Sequence, residues 1–214
     1  MHKLHIGVLQ SSYMNKMVRI ALDTSPEQMA RLLGLQSEFA KVCNALAPLT
    51  QKTRCWNRVA LHHMAYKSLR DQFPEMGSQM VCNAIYSVSR TSRLVFQHPQ
   101  SPFNVTKLGD RPLPLLQFSE SCPVYFDRHT LSVKPGQLSL YTLDGRMHFQ
   151  LVLAAEVEEG FRQKKLREIV LSRRLDGVFE LAFTFSDDAS EPADGLVDAG
   201  SGEIPEYVMV EETV

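Results

Sequence analysis

The hydrophobic pattern of this 214-residue chain changes its period once, near residue 100. Before that point, apolar residues recur at helical spacing. After it, apolar and polar residues alternate, and two Asp-Gly pairs, Asp144-Gly145 and Asp176-Gly177, lie between the alternating runs. An Asp-Gly pair in that setting is the strongest local signal for a tight β-hairpin. The sequence therefore predicts an α+β fold whose second half is an antiparallel sheet or small barrel.

Three helices are predicted in the first half. The first begins with a capping box at Ser25 and Gln28 and is expected to end at Pro48. The second covers about 54–72 and the third about 78–97. The third helix carries an inward stripe made of Val81, Ile85, Val88 and Val95.

The order of these elements predicts a helical domain inserted into a β-domain. A short strand in 17–24 would open the β-domain, and 105–186 would complete it. The helical domain would cover 25–104. We interpret residues 187–214 as an acidic tail, and residues 1–16 as either an N-terminal arm or an additional edge strand.

Charge is distributed unevenly along the chain. Residues 187–214 contain nine acidic side chains and no Lys or Arg. The remainder, 1–186, therefore holds all 23 Lys and Arg residues against 15 of the 24 acidic ones, a net charge of +8. A positive surface of that size attracts polyanions, and nucleic acid is the commonest of them.

Two groups of side chains suit nucleic acid. One face of the third helix combines amides, a phenol and guanidinium groups without an acid, which favours contacts with phosphates and base edges. The segment 162–174 concentrates cations that could grip a phosphate backbone. The alternatives are a solvated helix face and a merely solubilising turn. The residues concerned are Gln79, Asn83, Tyr86, Arg90 and Arg93 on the helix, and Arg162, Lys164, Lys165, Arg167, Arg173 and Arg174 in the basic segment.

The sequence contains no recognisable catalytic or cofactor motif. A Gly-rich phosphate loop, a GxSxG elbow and an HExxH helix are all absent. His62 and His63 are adjacent, so on a helix their rings would point about 100° apart, which is unsuitable for a shared metal. No apolar run reaches the length of about 18 residues that a membrane span needs. We expect a cytoplasmic protein with no enzyme activity and no cofactor, whose reduced thiols are Cys43, Cys55, Cys82 and Cys122.

Five runs of sequence, taken in order, resemble a known family. The runs are IALDTSPEQMARLLGLQSEFAKVCNAL, SLRDQFPEMGSQMVCNAIYSVSRTSRLVF, CPVYFDRHTLSV, SLYTLDGRMHFQLVL and FRQKKLREIVLSRRLDGVFELAFTF. Together they are similar to the N-terminal half of TnpB, the transposon-encoded ancestor of type V CRISPR effectors. The resemblance covers about 18–186 and is carried by the order and spacing of the runs.

The resemblance implies an oligonucleotide-binding-like (OB-like) β-barrel, the wedge domain, interrupted by a three-helix recognition domain. In the family these domains hold a guide RNA and read a short DNA motif beside the target. On that basis Asn44, Gln79 and Asn83 are expected to face the target DNA duplex or heteroduplex, and 162–174 is expected to face the RNA.

The chain departs from the family after residue 186. TnpB continues into a RuvC-like nuclease, whose acidic residues hold two metal ions, and into a zinc ribbon. Here Asp198, in the run GLVDAG, is the one residue that resembles a nuclease ligand, and 28 residues follow Ser186. We therefore expect a nuclease-deficient ribonucleoprotein subunit, with any cleavage supplied by a separate nuclease or effector chain. The alternative is an interaction or regulatory module whose acidic tail docks on a basic partner or mimics nucleic acid.

Overall fold

The computed structural model describes residues 17–186 and 203–211. Residues 1–16, most of the acidic tail and Asp198 lie outside the described residues. The helices are α1 (Pro26–Thr53), α2 (Arg58–Gln72), α3 (Ser78–Gln97), α4 (Val105–Leu108) and α5 (Ala155–Gln163). The strands are β1 (Met17–Ala21), β2 (Leu115–Phe118), β3 (Val124–Phe126), β4 (Leu131–Lys134), β5 (Gln137–Thr142), β6 (Gly145–Gln150), β7 (Lys165–Arg173), β8 (Phe179–Ser186) and β9 (Val208–Glu211).

The described strands form three sheets, so the α+β class is confirmed. Their strand orders are β1-β8-β7-β3, β4-β5-β6 and β2-β9. The pairs β1–β8, β7–β8, β4–β5, β5–β6 and β2–β9 are all antiparallel. Within the described residues these sheets do not join into one closed barrel.

The chain divides into two compact units. Within the described residues, unit 1 contains 17–34 and 125–186, and unit 2 contains 35–124 and 203–211. The division falls inside α1, between Gly34 and Leu35. Unit 1 therefore holds most of the strands, and unit 2 holds α2, α3 and the β2–β9 pair.

The predicted start of α1 is confirmed by its capping box. The Gln28 backbone N–H donates to Ser25 Oγ at 3.2 Å, and the Ser25 backbone N–H donates to Gln28 Oε1 at 3.0 Å. These two bonds satisfy backbone groups that the first turn would otherwise leave without a partner.

The predicted end of α1 at Pro48 is wrong, because the helix continues to Thr53. A proline inside a helix removes one hydrogen bond and crowds the preceding turn. The residues around it compensate, since Leu46, Ala47 and Thr50 are all buried and the Thr50 hydroxyl donates to the Ala47 carbonyl at 2.7 Å. Burial of these three residues thus outweighs the local signal to stop.

Both predicted Asp-Gly hairpins are confirmed. Asp144-Gly145 joins β5 to β6, and Asp176-Gly177 joins β7 to β8. Gly145 and Gly177 have φ angles of 109° and 86°, a region that L side chains rarely occupy. The turns fix the register of each hairpin and hence the face on which every side chain lies.

Unit 1 buries one face of its four-stranded sheet. Leu181, Phe183 and Phe185 of β8 point to the same side, as predicted, and all three are buried. Helix α5, which the sequence pattern did not predict, contributes Phe161 to this layer. The Phe161 ring lies edge-on to the rings of Phe183 and Phe185, at centroid distances of 5.0 and 5.1 Å.

Helix α3 is the most buried helix of unit 2. Its bounds and its inward stripe are confirmed, and 12 of its 20 residues are buried. Elsewhere in unit 2, β9 pairs with β2 in the register Leu116↔Val210 and Phe118↔Val208. Part of the predicted acidic tail is therefore a strand of the fold. None of the described helices has the length and apolar character needed to cross a membrane.

Candidate nucleic-acid interface

The six cations predicted to bind RNA lie on α5, on β7 and in the hairpin turn that follows. All six side chains are exposed. Arg162 is in the last turn of α5, Lys164 caps that helix, and Lys165 begins β7. The chain thus presents three cations at the point where a helix passes directly into a strand.

A β-bulge adds a fourth cation at this point. The register runs Lys165↔Ser186, Leu166↔Phe185 and then Glu168↔Thr184, so Arg167 is the extra residue between two paired positions. A bulge bends the strand locally and redirects the side chain it carries. Arg162, Lys164, Lys165 and Arg167 are called the α5–β7 cluster below.

Helix α5 is held in place by packing and carries a weak ion pair. Because Phe161 packs on β8, the helix positions Arg162 at the end of the β7–β8 ribbon. The guanidinium of Arg162 lies 3.4 Å from the Glu159 carboxylate, with both side chains well exposed. An exposed pair of this kind contributes little to stability, at most about 1 kcal/mol, and a phosphate can compete for the arginine.

The other two cations form a separate group at the opposite end of β7. Arg173 is six positions after Arg167 along the strand, a distance of about 20 Å. Arg173 Nε donates to the Gly177 carbonyl at 3.2 Å, and Arg174 pairs with Asp176 at 2.7 Å, so both guanidinium groups contact their own hairpin turn. The sequence predicted one dense patch, whereas the structure divides it into the α5–β7 cluster and this hairpin pair.

The exposed sheet face between the two groups also carries acids. Glu168 and Ser172 of β7 lie on the same face as Glu180 of β8, since Ser172 is opposite Glu180 in the register. Arg19 of β1 pairs with Glu180 at 2.8 Å. Of the six exposed cations, four lie at the α5–β7 end of this sheet and two lie at the hairpin end.

Asn44, expected to face DNA, instead holds a strand. Its Nδ2 donates to the Phe118 carbonyl at 2.9 Å, and its Oδ1 accepts the Phe118 backbone N–H at 2.7 Å. Both polar atoms of the amide thus bind the main chain of β2, on the edge that β9 does not occupy. This arrangement gives Asn44 a structural role inside unit 2.

The other residues expected to face DNA lie on a helix that is largely covered. Asn83 is only 5% exposed, and its Nδ2 donates to Met80 Sδ at 3.8 Å. The Arg58 guanidinium lies over the Tyr86 ring, 5.3 Å from its centroid. The half-buried members of the set, each of which takes part in an interaction within the chain, are Gln79, Tyr86, Arg90 and Arg93.

The sheet β4-β5-β6 carries a polar surface that sequence reasoning missed. Six side chains on one of its faces line a shallow depression of about 260 Å³: Ser132, Lys134, Gln137, Ser139, Arg146 and His148. The signal was present in the sequence as strict alternation of polar and apolar residues along three successive strands. That alternation predicts strands, but it does not show which polar positions become neighbours in the sheet.

In 17–186 and 203–211, no three His, Cys, Asp or Glu side chains are grouped so that they could hold a metal ion. His62 and His63 lie edge-on to each other, and His62 stacks on Tyr66 at 4.6 Å. What these surfaces offer is charge, hydrogen bonding and stacking.

Comparison of the chain with models of known protein families, and with curated proteins, gave no match. The resemblance to TnpB thus stays a prediction made from the order of sequence segments.

Proposed function

We propose that this protein is a nuclease-deficient, TnpB-like RNA-binding protein. In this proposal it holds a guide RNA in a cytoplasmic ribonucleoprotein and contributes to RNA-guided recognition of DNA, while a separate chain supplies any nuclease activity. The observation that carries the proposal is the α5–β7 cluster, where four exposed cations meet at one helix-to-strand junction.

In this proposal, unit 1 corresponds to the wedge domain. The finer assignment, an OB-like barrel interrupted by a three-helix bundle, matches unit 1 to the barrel and α1–α3 to the bundle. Support for it comes from the order of the elements, in which β1 precedes the three helices and β3–β8 follow them. Strand pairing supports it too, because β1 lies beside β8 at the far end of that sequence.

The electrostatics of the cluster set the expected behaviour of the complex. If all four cations neutralise phosphates of a single strand, log K falls with log[salt] with a slope of roughly −3. Raising the salt concentration from 50 to 200 mM would then weaken binding about 50-fold. Such binding depends on the charge of the RNA backbone. The protein would therefore have to recognise the guide RNA by its shape.

Fewer residues are proposed to face DNA than the sequence predicted. Asn44 is excluded because its amide binds β2, and Asn83 is excluded because it is buried. The residues that stay in the proposal are Gln79, Tyr86, Arg90 and Arg93.

A charge-reversal experiment tests the RNA-binding proposal. The variant Lys164→Glu/Lys165→Glu changes the cluster, and Lys52→Glu/Lys67→Glu changes two exposed lysines of unit 2 by the same total charge. Binding of a fluorescein-labelled RNA hairpin would be followed by anisotropy at 50 mM salt. The cluster variant should bind at least about 10-fold more weakly than wild type, and the control should lose less than about 3-fold. Equal losses in both variants would show that only net charge matters and would refute the assignment.

A further inference from the structure

The exposed face of β4-β5-β6 has a defined composition because its register is fixed. The antiparallel pairs Ser132↔Ser139 and Ser139↔His148 place one side chain from each strand in a row across the sheet. The neighbouring rows contain Lys134, Gln137 and Gln150, and then Tyr141 and Arg146. The intervening residues point to the other side, where the buried ones are Leu131, Leu138, Leu140, Met147 and Phe149.

The charges of this face favour an anionic ligand. Lys134 and His148 are exposed and Arg146 is half-buried, and the described rows of the face contain no acidic side chain. The nearest hairpin carboxylate, Asp144, binds Arg31 at 2.8 Å and accepts the Thr142 hydroxyl at 2.7 Å. Arg31 and Thr142 thus compensate the negative charge of Asp144, and neither belongs to the polar face.

Arg146 and Tyr141 form a stacking platform that is already ordered. The Arg146 guanidinium lies 4.3 Å from the centre of the Tyr141 ring. It also donates from Nη1 to Ser139 Oγ at 2.9 Å and from Nη2 to the His129 carbonyl at 3.1 Å. These contacts fix the position of the arginine, and Tyr141 is still 41% exposed.

A flat aromatic ring beside cations is the usual way in which proteins hold unpaired bases. Bases stack on the ring irrespective of their identity, while the cations follow the backbone. A double-stranded helix could not use Tyr141 in this way, because its bases are already stacked on each other. A protein partner is a poorer fit, because the large apolar residues of β4-β5-β6 lie on the buried face, and Tyr141 is the one aromatic anchor on the polar face.

We propose that the polar face of β4-β5-β6 binds a single-stranded segment of RNA, with one base stacked on Tyr141 and adjacent phosphates contacted by Lys134 and His148. The depression of about 260 Å³ is lined by Lys134 and His148, and Arg146, which contacts the Tyr141 ring, lies at its edge. The choice of RNA over DNA rests on the proposed function. The stacking site itself rests only on the geometry of the sheet.

The test compares Tyr141→Ala with Tyr141→Phe in the full chain, using a labelled RNA oligomer of ten adenosines and a fully paired, blunt-ended RNA duplex. Tyr141→Ala should bind the oligomer roughly 5- to 150-fold more weakly, the loss caused by removing one base–aromatic stack, and Tyr141→Phe should bind like wild type. Both variants should bind the duplex as wild type does. Lys134→Glu should weaken oligomer binding as well, whereas Lys67→Glu, at an exposed lysine of unit 2, should not.

Several results would overturn the inference. Unchanged oligomer binding by Tyr141→Ala would exclude stacking, and an equal loss in Tyr141→Phe would assign the effect to the hydroxyl group. A DNA oligomer of the same length that binds as tightly as the RNA would overturn the choice of RNA. Failure of the proposed function would look different, because hairpin binding would then be insensitive to Lys164→Glu/Lys165→Glu while the Tyr141 effect persisted. Ultraviolet cross-linking to wild type gives a check independent of any variant, since the cross-linked peptide should contain Tyr141.

Discussion

Replacing Asn44 by alanine removes both hydrogen bonds that hold the inner edge of β2. The amide donates to the Phe118 carbonyl and accepts the Phe118 N–H, while β9 binds the opposite edge of the same strand. Phe118 is only 3% exposed, so water has little access to the backbone groups that the substitution would leave without a partner.

The expected cost follows from these two bonds. Each hydrogen bond contributes about 1 kcal/mol net, and a buried group left unsatisfied costs about 1–3 kcal/mol. We therefore expect Asn44→Ala to lower the free energy of unfolding by about 2–4 kcal/mol. For a chain of this length that corresponds to a fall in Tm of roughly 5–15 °C.

Trp56 makes the measurement specific to unit 2. It is the single tryptophan of the chain, and its ring lies 5.6 Å from that of Phe96. Urea unfolding followed by its fluorescence would compare Asn44→Ala with Lys52→Ala, an exposed change on the same helix. A loss below about 0.5 kcal/mol would refute the structural role, whereas impaired DNA binding at full stability would restore the DNA-facing interpretation.

Three further predictions concern local features of the fold. Ser25→Ala removes half of the capping box and should cost about 1 kcal/mol in urea unfolding followed by circular dichroism, and no change would contradict the cap. Gly177→Ala places a Cβ at a φ of 86°, so the melting temperature should fall by an amount equivalent to about 1 kcal/mol or more. Burial raises the pKa of the Cys43 thiol well above its usual range. The unfolded chain loses that proton above about pH 8.5 while the folded chain keeps it, so stability should fall as pH rises beyond that point. The fall in urea midpoint between pH 7.5 and pH 9.5 should be smaller in Cys43→Ala, and an equal fall would contradict this origin.

The sequence predicted those elements whose signals are local. The capping box at Ser25, the stripe of α3 and the turns at Gly145 and Gly177 each depend on residues a few positions apart. The end of α1 could not be predicted from local signals, because burial of Thr50 and of residues in the preceding turn keeps the chain helical beyond Pro48. Likewise, β9 forms by pairing with residues about 90 positions earlier in the chain, and no local pattern predicts such a pairing.

The sequence predicted which residues could form the candidate interface, and the structure showed where those residues lie. The cations of 162–174 are exposed, but the length of β7 separates Arg167 from Arg173, and a bulge directs Arg167. The polar face around Tyr141 and Arg146 needed the register of three strands before its residues could be recognised as neighbours. The burial of Asn83 on α3 could not be predicted, because a polar stripe on a helix does not reveal how far neighbouring elements cover it.

The most direct test of the account is the RNA that the protein carries. The chain would be expressed in cells, purified at low salt without nuclease treatment, and its bound nucleic acid sequenced beside that of Lys164→Glu/Lys165→Glu. We predict that wild type carries one dominant structured RNA in nearly stoichiometric amount and that the variant loses most of it. Wild-type protein free of RNA, or a variant that retains the same RNA at the same level, would contradict the central claim.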